Sequence, residues 1–204
     1  MTKFGLVVLG AHIGIHIKSE IEKILPEKVL LVEPVPHNVV EIKKNLNNLE
    51  GIIIEQFALS DKNEIRNFYF VKNTSIHKLK KHWSSGIGSF NKQHLLDHKS
   101  KRFNIEEEDI DNISIEAIRF KDLVDKYNIN QIDKLLVDVE GSEFAILNDI
   151  DLCSVNIKKI IFEYKHFDGY QTTGKKLEEI LKKFEANGYT TKKIDEENIL
   201  ATKS

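Results

Sequence analysis

An α/β fold, with a mostly parallel sheet between helical layers and an antiparallel hairpin at its end, is predicted by three features of the 204-residue chain. Strand-like and helix-like stretches alternate, as they do in parallel strands joined by crossover helices. The first strand-like runs are short and almost wholly apolar, which suits strands covered on both faces. The last two runs, 189–194 and 199–202, are separated only by Asp195-Glu196-Glu197-Asn198, a spacing that predicts an antiparallel pair.

Residues 4–9 (Phe4-Gly5-Leu6-Val7-Val8-Leu9) read as a buried strand and 10–14 as a turn. Residues 15–25 then show apolar positions at Ile17, Ile21, Ile24 and Leu25, a helical spacing, and Pro26 ends the run. A second strand over 29–32 closes at Glu33-Pro34. Pro36 suits the first turn of a helix with Val39, Ile42 and Leu46 inside and Lys43 and Lys44 outside. A third strand spans 52–57, Ser60-Asp61-Lys62-Asn63 turns, and 66–71 reads as an extra strand.

From 74 to 112 the sequence is polar and irregular, which predicts an insertion or lid within a single domain spanning 1–204. This stretch holds Trp83 and four histidines, His77, His82, His94 and His98. It is basic from Lys78 to Arg102 and acidic at its end, through Glu106, Glu107, Glu108, Asp109 and Asp111. Regular alternation resumes with a strand at 115–118, a helix at 121–127, a strand at 134–139, a helix at 143–152 and a strand at 157–164. An amphipathic helix at 175–187 is stopped by Gly188.

Composition narrows the function classes. Hydrophobic residues make up 41% of the chain, enough for a packed core and against disorder. Thirty basic and 32 acidic residues leave a net charge of −2, so no positive field draws nucleic acid or an anionic membrane. Only 3 of the basic residues are Arg, the side chain that forks onto phosphates and base edges. The single cysteine, Cys153, excludes an internal disulfide and is expected to be a small buried hydrophobe. No apolar run approaches the roughly 18 residues of a membrane span. The chain enters its first strand without a secretory pattern. A cytoplasmic protein with no nucleic-acid partner is expected; the oligomeric state stays open, a homodimer included.

Three strand ends carry suggestive residues. Gly10-Ala11-His12-Ile13-Gly14 is a small-residue turn before a helix, where backbone N–H groups favour an anionic ligand group. Its spacing is not the G-x-G-x-x-G of a dinucleotide site, which counts against a nicotinamide-dependent enzyme. Glu33 ends the second strand 19 residues after Gly14, a position from which a carboxylate accepts ribose hydroxyls. Asp138 and Glu140 flank Val139, and strand alternation would point both to one side, with Glu143 close behind. Such a cluster is suited to orienting an ammonium, binding a metal or acting as a general base. Helix capping by solvated acids is the bland alternative.

These residues resemble the FkbM family of S-adenosylmethionine-dependent methyltransferases, within the class I methyltransferase fold. The likeness runs from about Leu6 to Ile194. It rests on Gly10–Gly14, Val32-Glu33-Pro34, Phe57-Ala58-Leu59-Ser60-Asp61, Gly86-Ile87-Gly88-Ser89-Phe90, Val137-Asp138-Val139-Glu140-Gly141-Ser142-Glu143 and Ile161-Phe162-Glu163. The D-V-E-G-x-E stretch is the most specific. The resemblance implies a three-layer, Rossmann-like sandwich with a seven-stranded sheet and S-adenosyl-L-methionine across its switch point. It implies cofactor contacts from Gly10, Ala11, His12, Gly14, Glu33, Pro34, Phe57 and Ala58. Asp138 would lie beside the methionine end and the acceptor. Two departures stand out: Val8 where the family's first strand usually carries an acid, and His12 where it usually has Asn.

The expected activity is O-methylation of a glycan or related hydroxylated metabolite, with Asp138, Glu140 and His166 as candidate bases. A methyltransferase-fold protein that binds without turnover is the alternative, motivated by Val8 and His12. His94 and His98, four residues apart, have the spacing of some zinc sites, but the sequence fixes no third ligand and no metal is assigned. The basic part of 74–112 reads as a lid suited to an acidic acceptor, with Lys78, Lys80 and Lys81 as its charges.

Overall fold

The computed structural model describes residues 1–99, 102–168 and 173–204, so residues 100 and 101 of the expected insertion lie outside the description. Strand β1 (Thr2–Leu9) leads to helix α1 (Lys18–Ile24), β2 (Val29–Val32), α2 (Pro36–Asn45) and β3 (Ile52–Glu55). Then come β4 (Ala58–Leu59), β5 (Glu64–Val71), α3 (Ile76–Leu79), β6 (Gly88–Ser89), α4 (Lys92–Leu96) and β7 (Ile110–Ile118). The chain ends with α5 (Phe120–Tyr127), β8 (Ile129–Val137), α6 (Glu143–Asp149), β9 (Asn156–Glu163), α7 (Lys175–Ala186), β10 (Tyr189–Lys193) and β11 (Asn198–Lys203).

The main sheet has seven strands in the order β10-β11-β9-β8-β1-β2-β3. β1 pairs in parallel with β2 and β8, while β11 runs antiparallel to both β9 and β10. Strand order reverses between β1 and β8, so the crevice for a ligand opens at their carboxyl ends. The apolar runs explain the layering. In β2, Val29 and Leu31 pack with Ile21 and Ile42 of α1 and α2. Leu30 and Val32 point the other way, into a core with Leu123, Ile146 and Ile180 of α5, α6 and α7. Each such side chain contributes about 1.5–3 kcal/mol on burial, which fixes the register of a sheet covered on both faces.

The chain between β3 and α5 builds a second, four-stranded sheet, β4-β7-β5-β6. Polar alternation hides it: β7 begins at Ile110, five residues earlier than its apolar end suggests, and pairs antiparallel with the whole of β5. Val71, Leu79, Ile87, Leu95, Phe103, Ile105 and Ile110 give this region an apolar cluster of its own. Lys78, Lys92 and Lys99 spend their charge on its acidic end, pairing with Asp109, Glu107 and Glu106 at 2.9, 2.6 and 2.7 Å. The expected basic surface is to that extent neutralised from within.

Two local expectations are corrected. Cys153 is exposed, not buried, because Leu152 and Val155 take the inward positions of its turn. β8 ends at Val137, two residues short of the expected 139, because the chain turns sharply at Glu140-Gly141.

Candidate active site

β8, β1 and β2 lie side by side, and their carboxyl ends open into one cleft. Leu9 runs directly into Gly10, where φ is 87° and a methyl group would stand 1.7 Å from the Asp138 carbonyl oxygen. Only glycine meets both conditions. The N–H groups of Gly10 and Ala11 donate to the Val32 carbonyl at 3.0 and 3.1 Å, tying the turn to β2. His12 follows in left-handed backbone with φ 50°, a region that Asn, Asp and His enter more readily than other side chains.

Glu33, at the end of β2, is 4% exposed. Its Oε1 accepts from the Val35 N–H at 3.0 Å and the Asn38 side-chain amide at 3.2 Å. Its Oε2 accepts from the His12 N–H at 2.9 Å. Burial pushes the carboxyl up to about 7 against the pull of those three donors.

Asp138 is the first residue beyond β8, and its N–H donates to the Leu9 carbonyl at 2.9 Å. Its side chain meets solvent at the cleft mouth, yet protein surrounds it elsewhere. That setting, and then Glu140 and Glu143, push its carboxyl up. Asp138 and Glu140 both border the cleft, but strand alternation is not what brings them there. Glu140 instead adopts φ 52° and Gly141 φ 104°, and this left-handed turn swings Glu140 into the cleft. Glu143 holds the turn in shape. It is 1% exposed, and its carboxylate accepts from the Val139 N–H at 2.9 Å and the Gly141 N–H at 3.0 Å.

Behind Glu140 stand His94 of α4, His98 just after it, and His166 beyond β9. His166 Nε2 is 3.5 Å from Glu140 Oε2 and 3.8 Å from Glu163 Oε2. His94 Nε2 is 3.7 Å from Glu140 Oε2. Burial would raise Glu140, but His166, His94 and Lys165 outweigh it and hold the carboxyl well below its usual range. Glu163 is pushed up by burial and by Asp138 and Glu140, against the pull of Lys165, which pairs with its other oxygen. Burial lowers His98 to about 4.

Two cavities meet at Gly10, Glu33, Asp138 and Glu140. One is a narrow apolar slot lined by Pro34, Val35, Phe57, Ala58, Leu59, Phe68 and Phe90. The other is a wider polar cleft bordered by His12, Trp83, Arg102, Glu163, Lys165 and Glu197. Of the residues singled out from sequence, Ala11 is fully buried and Gly14 packs on Ile42 of α2 and on Leu46 just beyond it, and neither lines a cavity. His166 stands behind Glu140 and lines neither. Sequence reasoning missed Phe68, Trp83, Arg102, Lys165 and Glu197. A methyl group at Gly88 would lie 2.5 Å from Phe68 Cε1, so a side chain there would push that ring out of the slot wall.

A flat apolar slot joined through a buried acid to a polar cleft has the chemistry of an adenosine with a charged amino-acid tail. Fold and site together define a class I methyltransferase-type α/β protein. The Methyltransferase FkbM domain matches residues 9–191, and the chain belongs to that family of S-adenosylmethionine-dependent methyltransferases. No curated protein sequence matches the chain. Among solved structures, Aeropyrum pernix fibrillarin in complex with natively bound S-adenosyl-L-methionine is similar at 12% identity and a TM-score of 0.50. That similarity covers 98% of this chain and 66% of the fibrillarin. A precorrin-6y C5,15-methyltransferase from Geobacter metallireducens GS-15 is similar at 11% identity and a TM-score of 0.47, over 100% of this chain and 83% of its own.

Proposed function

We propose that this chain is an O-methyltransferase acting on a hydroxyl of a glycan or related hydroxylated metabolite. The observation that carries the reading is the meeting of the apolar slot and the polar cleft at Glu33 and Asp138. Bound S-adenosylmethionine supplies a sulfonium methyl group. Glu33 would accept the ribose hydroxyls, and Pro34, Phe57 and Ala58 would flank the adenine. Gly10 and His12 would border the methionine part.

Asp138 borders both cavities and would take the proton of an acceptor hydroxyl. Holding that hydroxyl in line with the methyl group is the larger task, worth about 7–11 kcal/mol in favourable cases. Acceptor chemistry is argued from the cleft wall. Asp138, Glu140, Glu163 and Glu197 offer acceptors for the many hydroxyl donors of a sugar, and Trp83 offers an apolar face. This favours a neutral polyol over the acidic acceptor expected from a basic lid. A cytoplasmic location is part of the proposal and rests on a chain that builds no internal disulfide. Among the described residues no helix is long and apolar enough to cross a membrane.

Calorimetry with S-adenosylhomocysteine, followed by transfer from labelled cofactor to a panel of sugars, tests the reading. Binding and transfer are expected, with Asp138→Asn keeping affinity and losing turnover by about 10²–10⁴-fold. Absence of cofactor binding by the wild type rejects it.

A further inference from the structure

The residues behind Glu140 form a second constellation, which shares Glu140 and Glu163 with the wall of the polar cleft. Two groups share Glu140. His94, His98 and Glu140 bring one donor atom each within 4.8 Å of one another, and so do Glu140, Glu163 and His166. The residues come from α4 and the turn after it, the Glu140 turn, the end of β9 and the loop beyond it.

The spacings are informative. His166 to Glu140, His94 to Glu140 and His166 to Glu163 measure 3.5, 3.7 and 3.8 Å. These exceed good hydrogen bonds, which end near 3.2 Å. They come close to the spacing of donors around a shared ion, since ligands about 2.0–2.1 Å from a tetrahedral metal stand roughly 3.3–3.4 Å apart. His94 Nε2, Glu140 Oε2 and Glu163 Oε2 are buried without a hydrogen-bond partner. The Glu163 side chain is only 5% exposed, with Oε1 on Lys165 and Oε2 turned to His166. A buried carboxylate oxygen and a buried imidazole nitrogen that meet only at such long spacings are costly unless something positive joins them. Asp138, Glu140, Glu163 and Glu197 face Lys165 and Arg102 in the adjoining cleft, an imbalance that a divalent cation would offset.

We propose that Glu140, Glu163 and His166 bind a divalent transition-metal ion, with His94, which reaches Glu140 from the other side, and His98 as further nitrogen donors. Two imidazoles with two carboxylates suit zinc and its first-row neighbours rather than calcium or magnesium. The sequence hint at His94 and His98 thus gains its missing partner from Glu140, far away in the chain. Glu140 and Glu163 also border the polar cleft, so the ion's open side would face an acceptor oxygen. That last consequence rests on the proposed methyl transfer; the binding itself does not.

The test uses the purified full chain after chelator treatment, with no cofactor present. Zinc is titrated by calorimetry, and cobalt(II) by its visible absorption. One equivalent per chain is expected, with a cobalt spectrum indicating nitrogen and oxygen ligands. His94→Ala, His166→Ala and Glu163→Gln should each weaken zinc by more than the roughly 10–100-fold that loss of an outer-sphere partner costs. His77→Ala, on the exposed surface, should leave it unchanged. Circular dichroism of each metal-free variant shows that it folds, and His94→Asn replaces any that does not. No stoichiometric binding by the wild type, or binding that survives the folded His94 and His166 variants, overturns the proposal. Failure of cofactor binding with intact metal binding would instead reject the methyltransfer reading alone.

Discussion

His12 engages Glu33 through its backbone, donating its N–H to Oε2 at 2.9 Å, while its ring turns away to meet Ser85. The side chain is therefore not what holds the acid. What the position demands is φ near 50°, which a β-branched residue resists. His12→Asn should leave affinity for S-adenosylhomocysteine within about two-fold, because Asn enters the same backbone region. His12→Val should lower both affinity and melting temperature, at a cost of roughly 1–2 kcal/mol. Calorimetry and thermal unfolding of the two variants check this, and equal losses in both would refute the backbone argument.

Glu33 makes the fold sensitive to pH in a defined direction. Its carboxyl is raised from an ordinary value near 4.5 to about 7, so between these values the folded chain holds a proton that the unfolded chain has released. The contribution is fully present below pH 4.5 and is lost as pH rises through 7. Urea midpoints for wild type should fall from pH 5 to 8 more steeply than for Glu33→Gln. Ribose hydroxyls prefer the ionised carboxylate, so cofactor affinity should rise over the same interval, and the rise should flatten in the variant.

Gly10 and Gly51 separate strain from collision. Both have positive φ, 87° and 78°, but a methyl group at Gly51 meets nothing within 4 Å, whereas at Gly10 it strikes the Asp138 carbonyl. Gly51→Ala should cost about 1 kcal/mol, the backbone penalty alone. Gly10→Ala should cost clearly more and should also weaken cofactor binding, since β1 and β8 must part at the cleft. Chemical denaturation of the pair measures the difference.

Asp109 anchors the region between β3 and α5. It is 2% exposed, accepts from Lys78 Nζ at 2.9 Å, and takes the Glu106 N–H at 3.0 Å. Asp109→Asn should destabilise this region by roughly 1–3 kcal/mol. Limited proteolysis should then cut within 74–112 before the main sheet opens. Unchanged cleavage would show that the apolar cluster alone holds the region.

Much of this architecture is legible in the sequence because burial on both faces leaves an unmistakable mark. β1 and β2 are apolar runs, and α7 carries Leu177, Ile180 and Phe184 at helical spacing. The second sheet is legible only in part. The ends 66–71 and 115–118 read as strands, but β5 is solvated at Glu64 and Ile65 and β7 at Asp111, Asn112 and Ser114, so the first residues of both strands read as loop. The site divides in the same way. Glu33 and Asp138 announce themselves by standing at strand ends. Lys165, Glu197 and Phe68 reach the cleft only through tertiary folding, and no local spacing marks them. The left-handed bend at Glu140 likewise escapes a reading that extends the strand through Val139.

That bend gives the D-V-E-G-x-E stretch a second meaning. Glu143, its last acid, never reaches the cleft; it clasps the peptide groups of Val139 and Gly141 and so dictates how Asp138 and Glu140 are presented. Part of this signature is therefore spelling for a contour rather than for a reagent. A chain that kept Asp138 but lost Glu143 would keep the carboxylate and misplace it.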